Sequence, residues 1–125
     1  MKNSDILLDT IKGWSTPILE KAMQNIANDS VIFAFAKNLI SPEWLTKAIM
    51  EHLGYPLLKQ YIDKIPDEML PAFTLDLLDG MIDKRVKEGG LELPSIGIKI
   101  APVAFENLRK LCENNFKQYA EKKDE

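Results

Sequence analysis

The chain has 125 residues, of which 46% are hydrophobic and 28% charged, and its formal net charge at pH 7 is −3. This composition is typical of a globular protein, and the length suits one domain with a hydrophobic core of its own. The weakly acidic charge provides no general attraction to phosphate backbones or anionic membranes, so we expect no nucleic acid partner.

Cysteine and histidine are each used once, as Cys112 and His52. A single cysteine forms no internal disulfide and builds no cysteine-based zinc site, so we expect no metal centre of that kind and no cofactor. Asp5 and Asp9 interrupt the N-terminal apolar positions, which argues against a secretory signal. The most apolar run, residues 31–40, is far shorter than the roughly 20 residues that cross a bilayer. We therefore expect a cytoplasmic protein without a membrane span.

Prolines divide the chain at positions that suit the start of a helix, because proline lacks the N–H that has no partner there. Between them, apolar residues recur at intervals of three and four, as on one face of a helix. Gly13 and Gly54 are placed where helix C-termini are expected. The pattern predicts helices over residues 4–12, 17–28, 42–53, 56–64, 70–87 and 102–119.

Residues 31–40, with the sequence VIFAFAKNLI, are compatible with two structures. Their β-branched and aromatic residues suit a buried strand, whereas their length suits a buried helix. We favour a helix, because predicted helices flank the run and no partner strand is nearby. The predicted fold is all-α: one domain over residues 1–125, formed by a compact bundle of five or six helices, with a charged tail at residues 120–125.

One segment, EGGLELPSIGIKIAP at residues 88–102, departs from the helical pattern. Its apolar residues alternate on either side of a Pro-Ser pair, which predicts a short hairpin or extended arm near residues 90–101. An isolated two-stranded hairpin is marginally stable in water, so it needs support. Either it covers its own core, or it docks on a second molecule by strand addition or by burying its isoleucines. The contact residues in the second case are Leu91, Leu93, Ile96, Ile98 and Ile100.

Asp76, Asp79 and Asp83 lie at intervals that place all three on one face of a helix. Carboxylate oxygens are ligands for Mg²⁺ and Ca²⁺, and an acidic face also suits a basic partner surface. A solvated helix face is the simpler interpretation, and we predict no metal site.

Other residues with chemical potential are better explained by structure. His52 falls in a predicted last helical turn, where it complements the helix dipole. Cys112 lies on an apolar stripe, where a free cysteine acts as a small hydrophobe. Trp14 and Trp44 stand near helix ends and are expected to complete the core.

No recognisable catalytic motif surrounds any nucleophile of the sequence. We therefore expect a non-catalytic protein-interaction module, such as a small assembly, adaptor or inhibitor protein. It would use the apolar extended segment to bind a protein partner or a second copy of itself. The alternative is a binding protein for a small apolar ligand held between helices, and a metal-assisted enzyme that uses the aspartate row ranks third. Methionines that could line the ligand site are Met23, Met50, Met69 and Met81.

Overall fold

A computed structural model describes residues 1–29 and 41–123 of the chain. Its architecture is all-α with one short antiparallel hairpin, as predicted. The helices are α1 (Asn3–Asp29), α2 (Pro42–Ile49), α3 (Tyr55–Ile62), α4 (Leu70–Glu88) and α5 (Pro102–Lys123). The strands are β1 (Leu91–Leu93) and β2 (Ile98–Ile100). Among these residues, no helix combines the length and the apolar character needed to span a bilayer.

Helix α1 is continuous through Pro17, where the sequence predicted a break. A proline inside a helix removes one backbone donor, so the carbonyl of Gly13 loses its helical partner. Both residues are exposed, which leaves this carbonyl accessible to water. The hydroxyl of Thr16 also donates a hydrogen bond to the carbonyl of Lys12, at 2.6 Å. The predicted break is wrong because the disruption falls on the solvent side, where it leaves the packed face of α1 intact.

Helix α2 begins as predicted, because the hydroxyl of Ser41 accepts a hydrogen bond from the backbone N–H of Trp44 at 3.1 Å. The predicted helix end at Gly54 is wrong. Met50–Gly54 form a π-helical turn that joins α2 directly to α3, and Gly54 keeps a right-handed helical conformation. A Cβ at this position would collide with the thioether of Met50, so the glycine makes room for that side chain.

The described helices thus number four or five, against the five or six predicted for the whole chain. There are five α-helices in residues 1–29 and 41–123, or four helical segments if α2, the π-helical turn and α3 are taken as one. The two predicted helices on either side of Pro17 are one, which accounts for the difference. The prediction of a helix at residues 31–40 lies outside the described residues.

The hairpin follows α4 directly and has the alternating pattern that the sequence indicates. Leu91 pairs with Ile100, and Leu93 pairs with Ile98, in antiparallel register. A short 3₁₀ turn, Pro94–Ile96, connects the two strands. Because directly opposed residues of an antiparallel pair point to the same side, these four apolar residues share one face.

Two glycines set the path of the chain at this point. Gly89 ends α4 in the left-handed conformation with φ 77°, and Gly97 closes the hairpin turn with φ 65°. Residues with a Cβ rarely adopt these angles, so both positions favour glycine. The C-terminal cap of α4 thereby turns the chain back along the helices and brings β2 to α1, which it contacts.

The core lies between α1, α3, α4 and α5. Leu70 of α4 and Cys112 of α5 are its most completely buried large side chains, each 1% exposed. The predicted apolar stripe of α5 is confirmed, since Phe105, Leu108 and Phe116 are also buried. Helix α5 continues to Lys123, beyond its predicted end, and so includes part of the expected tail.

A single carboxylate holds the start of α1. The two oxygens of Asp67, which lies just before α4, accept hydrogen bonds from the backbone N–H groups of Asn3 and Ser4, each at 3.3 Å. These N–H groups have no partner within the helix, and the helix dipole also favours a negative charge at this end. The contact fixes the N-terminus of α1 against the loop that connects α3 to α4.

Candidate binding groove

An apolar groove of about 500 Å³ lies between α1, α3, α4 and α5. Its floor is the hydrophobic core itself, where Leu70, Leu108 and Cys112 are buried. Its rim, defined here as Tyr61 of α3 with Phe73 and Leu77 of α4, is open to solvent. These three side chains are 62%, 49% and 55% exposed, respectively. The groove is therefore an extension of the core that the described part of the chain leaves uncovered.

The rim follows from the residue pattern of α4. Leu70, Phe73, Leu77 and Met81 form one apolar stripe, and all four line the groove. A second apolar stripe lies beside the first and consists of Leu75, Leu78, Ile82 and Val86, and the two stripes together predict a central helix that is covered on more than one side. Within residues 1–29 and 41–123 that prediction is wrong for the outer part of the stripe. The exposed apolar side chains show that the described residues leave one face of α4 without a packing partner.

The lining offers little hydrogen bonding. Among the described lining side chains, polar atoms belong to Tyr61, Thr74, Cys112 and Trp14. The indole N–H of Trp14 is already used, because it donates to the backbone carbonyl of Ala104 at 2.9 Å. An occupant of the groove would therefore be held mainly by burial of apolar surface. It would also need to satisfy its own polar groups, since the groove has few partners for them.

Cys112 lies at the floor of the groove and is 1% exposed. Burial disfavours the thiolate and raises the pKa of the Cys112 thiol from 9.0 to about 11. The side chain is thus a neutral thiol at physiological pH, in agreement with the predicted buried cysteine. A thiol is a weak nucleophile compared with a thiolate, so this position contributes apolar packing rather than reactivity.

A row of exposed apolar side chains continues from the rim along α3. We call this row, Leu53, Leu57 and Tyr61, the α3 ridge; its members are 68%, 56% and 62% exposed. They follow one another at four-residue intervals, with Leu53 in the π-helical turn and the other two in α3. Tyr61 belongs to both the ridge and the rim, so the two surfaces are continuous. The ammonium of Lys64 lies 5.1 Å from the centre of the Tyr61 ring.

The structure places the predicted hairpin residues against their own chain. Ile98 is buried, Leu91 and Ile100 are half-buried, and Leu93 is 36% exposed. Ile96 is part of the 3₁₀ turn and not of either strand. The apolar face of the hairpin is therefore largely covered within the monomer.

A polar contact supports this arrangement. The side-chain amide of Asn25, in α1, donates a hydrogen bond to the carbonyl of Gly97 at 3.1 Å. A Cβ at Gly97 would lie 3.2 Å from the same amide nitrogen, so the glycine also permits the close approach. Of the two alternatives for this segment, the contacts favour a hairpin that packs on its own helices.

The predicted acidic row is on the surface of α4, and its members are exposed. Asp79 accepts a hydrogen bond from Nε of Arg109 at 2.5 Å, which links α4 to α5. Hydrogen bonds to Asp79 and Glu113 raise the pKa of the Arg109 guanidinium. In the described ranges, no three or more histidine, cysteine or acidic side chains converge as metal ligands would.

Two further residues lie away from the groove. His52 is exposed in the π-helical turn. Trp44 is 59% exposed and lines a more polar cleft between α1 and α2, so the prediction that it completes the core is wrong. In that cleft the ammonium of Lys12 lies 5.1 Å from the centre of the Tyr55 ring. Charged and hydroxyl groups thus distinguish this cleft from the apolar groove.

The groove was missed in the sequence because it depends on spacing between helices. The double stripe of α4 was visible and signalled an unusually apolar helix. The exposed row on α3 gave a weaker signal, since Leu53 was assigned to one predicted helix and Leu57 to another. No protein-family model, curated protein or solved structure matches this chain, so the site is interpreted from its own geometry.

Proposed function

We propose that the protein is a non-catalytic protein-interaction module whose groove receives an amphipathic helix of a protein partner. The observation that carries this proposal is the rim, where Tyr61, Phe73 and Leu77 are each about half exposed or more, beside a buried floor. Contiguous exposed apolar surface of this kind is typical of interaction sites. The exposed His52 and the neutral thiol of Cys112 support a non-catalytic role.

The chemistry of the lining favours a helix over an extended peptide. A strand that entered the groove would bury backbone N–H and C=O groups where few side chains could pair with them. A helix satisfies these groups internally and presents apolar side chains at intervals of three and four residues. The hairpin, which the sequence suggested as the contact element, retains a smaller potential role through the partly exposed Leu93.

The free energy gained by burying the rim alone is too small for a stable complex. Full burial of one large apolar side chain contributes about 1.5–3 kcal/mol, so three half-exposed residues contribute only about 2–5 kcal/mol together. Association costs an estimated 4–15 kcal/mol in lost translational and rotational freedom. A stable complex must therefore also cover adjacent apolar residues, and the α3 ridge is continuous with the rim.

The proposal is tested with a synthetic helical peptide that carries leucines on one face and lysine and glutamate elsewhere. Trp14 lines the groove, so a Trp44→Phe background makes its fluorescence a reporter of occupancy. We expect saturable binding that Leu77→Asp weakens at least tenfold. A peptide of the same composition with leucines spread around the helix is the peptide control.

The matched protein control is Leu111→Asp, which introduces the same change at a 43% exposed leucine of α5 outside the groove lining. It should bind the peptide as the parent protein does. Equal binding by the Leu77→Asp and parent proteins would contradict the proposal. So would equal binding of the two peptides, because simple stickiness does not depend on a helical face.

A small apolar ligand is the second candidate, favoured by the groove volume. About 500 Å³ falls within the 300–1,000 Å³ typical of small-molecule sites. This function predicts that decan-1-ol raises Tm saturably and that the helical peptide fails to displace it. Absence of a saturable rise would exclude this candidate.

A further inference from the structure

We infer that the occupant of the groove is the α3 ridge of a second copy of this chain, so that two copies form a symmetric dimer. This inference rests on the proposed function, because it names the partner of the same site.

The α3 ridge has the properties that the groove requires of an occupant, namely an apolar face on a helix. Leu57 and Tyr61 lie one helical turn apart on α3, and Leu53 extends the row into the preceding turn. Their side chains point away from the core, which α3 contacts through Leu58 and Ile62. The ridge is therefore the exposed apolar face of a helix whose backbone hydrogen bonds are already made.

The ridge also lies beside the groove. Tyr61 belongs to both surfaces, so they form one continuous patch. A two-fold axis that passes near Tyr61 would place the ridge of each copy in the groove of the other. Such an interface uses the same patch twice, as closed two-fold dimers do. One groove and one ridge per chain thus suffice to satisfy both apolar surfaces.

The exposed apolar area of the ridge and the rim is also large enough for a dimer interface. The exposed parts of Leu53, Leu57, Tyr61, Phe73 and Leu77 amount to roughly 500 Å² per copy, if a fully exposed large side chain presents roughly 180 Å². Two copies would bury roughly 1,000 Å² of apolar side chain, which reaches the lower limit for a specific interface. The exposed Gln60, next to Tyr61 in α3, and the exposed Lys64, whose ammonium lies over the Tyr61 ring, would add a polar margin.

Two substitutions test the ridge and the groove separately. Leu57→Asp disrupts the ridge at a residue that does not line the groove, whereas Leu77→Asp disrupts the groove at a residue outside the ridge. Both positions are more than half exposed, so each variant should fold. A circular dichroism spectrum like that of the parent and a cooperative urea transition would establish this.

The experiment measures molar mass by light scattering behind a sizing column, from 1 to 200 μM protein. We expect the parent and the Leu111→Asp control at twice 14.2 kDa, and each ridge or groove variant at 14.2 kDa. An equimolar mixture of the Leu57→Asp and Leu77→Asp proteins should recover a dimer, because one intact ridge can still enter one intact groove. With one of two contacts left, its dissociation constant should rise at least a hundredfold above the parent value.

The failures are distinguishable. A monomeric parent that still binds the helical peptide would overturn the second copy as occupant and leave the proposed function intact. A dimer that persists in both variants would place the interface elsewhere and overturn the inference. If the monomeric Leu57→Asp protein, with its groove intact, failed to bind the peptide, the proposed function itself would fail.

Discussion

The hairpin and the groove are both conspicuously apolar in the part of the chain that the structure describes, and they differ in what covers them. The hairpin turns its apolar face toward α1, and Ile98 is only 7% exposed. The groove leaves Phe73 and Leu77 about half exposed in the part of the chain that the structure describes. An apolar pattern in the sequence thus marks surface that must be buried, while the tertiary arrangement decides whether its own chain buries it.

The largest expected effect is a difference in stability between two aspartate substitutions, one in the hairpin and one on the rim of the groove. Ile98→Asp would bury an unpaired carboxylate and should lower the free energy of unfolding by about 3–5 kcal/mol. Leu77→Asp leaves its carboxylate in solvent and should change that free energy by less than about 1 kcal/mol. Urea denaturation of both variants measures this difference in the free energy of unfolding. The protein concentration is kept low enough for the parent protein to be monomeric. Similar losses at the two positions would mean that the rim is as closed as the hairpin.

Much of this fold was predictable from local chemistry. The bounds of α4, the start of α5, the buried stripe that includes Phe105 and Cys112, and the alternation of the hairpin all follow from periodicity and from the positions of glycine and proline. These features depend on residues close in sequence, so local patterns determine them.

The features that were predicted wrongly depend on how the helices pack, which a local sequence pattern does not show. Pro17 and Gly54 resemble helix boundaries, yet helical structure continues through both. In each case packing of the flanking helices outweighs a local cost of a few kcal/mol at most. The groove has the same origin, since its volume is set by how far α3 stands from α4. Sequence periodicity identifies an apolar face but not the distance to the face opposite.

An intermediate effect concerns the floor of the groove and depends on pH. The pKa of Cys112 is raised from 9.0 to about 11 in the folded protein, so the unfolded chain loses this proton first as pH rises. The native state then binds more protons than the unfolded state, and stability falls with pH. The contribution is fully present below pH 9 and is lost as pH approaches 11.

Urea midpoints measured between pH 8 and pH 11 on the parent protein and on Cys112→Ala test this dependence. Other groups that titrate in this range are shared by the two proteins. The difference between their urea midpoints therefore reports the thiol alone. We expect Cys112→Ala to be less stable below pH 9, because it leaves a small cavity, and the gap to narrow toward pH 11. A constant gap would indicate that water reaches the floor of the open groove.

The smallest expected effect concerns the outer face of the hairpin, where Glu92 lies opposite Lys99. Opposite charges in a directly opposed pair contribute about 0.2–1 kcal/mol, and like charges are destabilising. Lys99→Glu should therefore lower the free energy of unfolding by up to about 1 kcal/mol, and Glu92→Lys should do the same. The doubly reversed protein should regain the stability of the parent, because its charges are again opposite. A double-mutant cycle in urea, repeated at high salt to screen the charges, measures the coupling. A coupling near zero would mean that the pair does not stabilise this register, which would then rest on the apolar contacts of Ile98 and Leu93 alone.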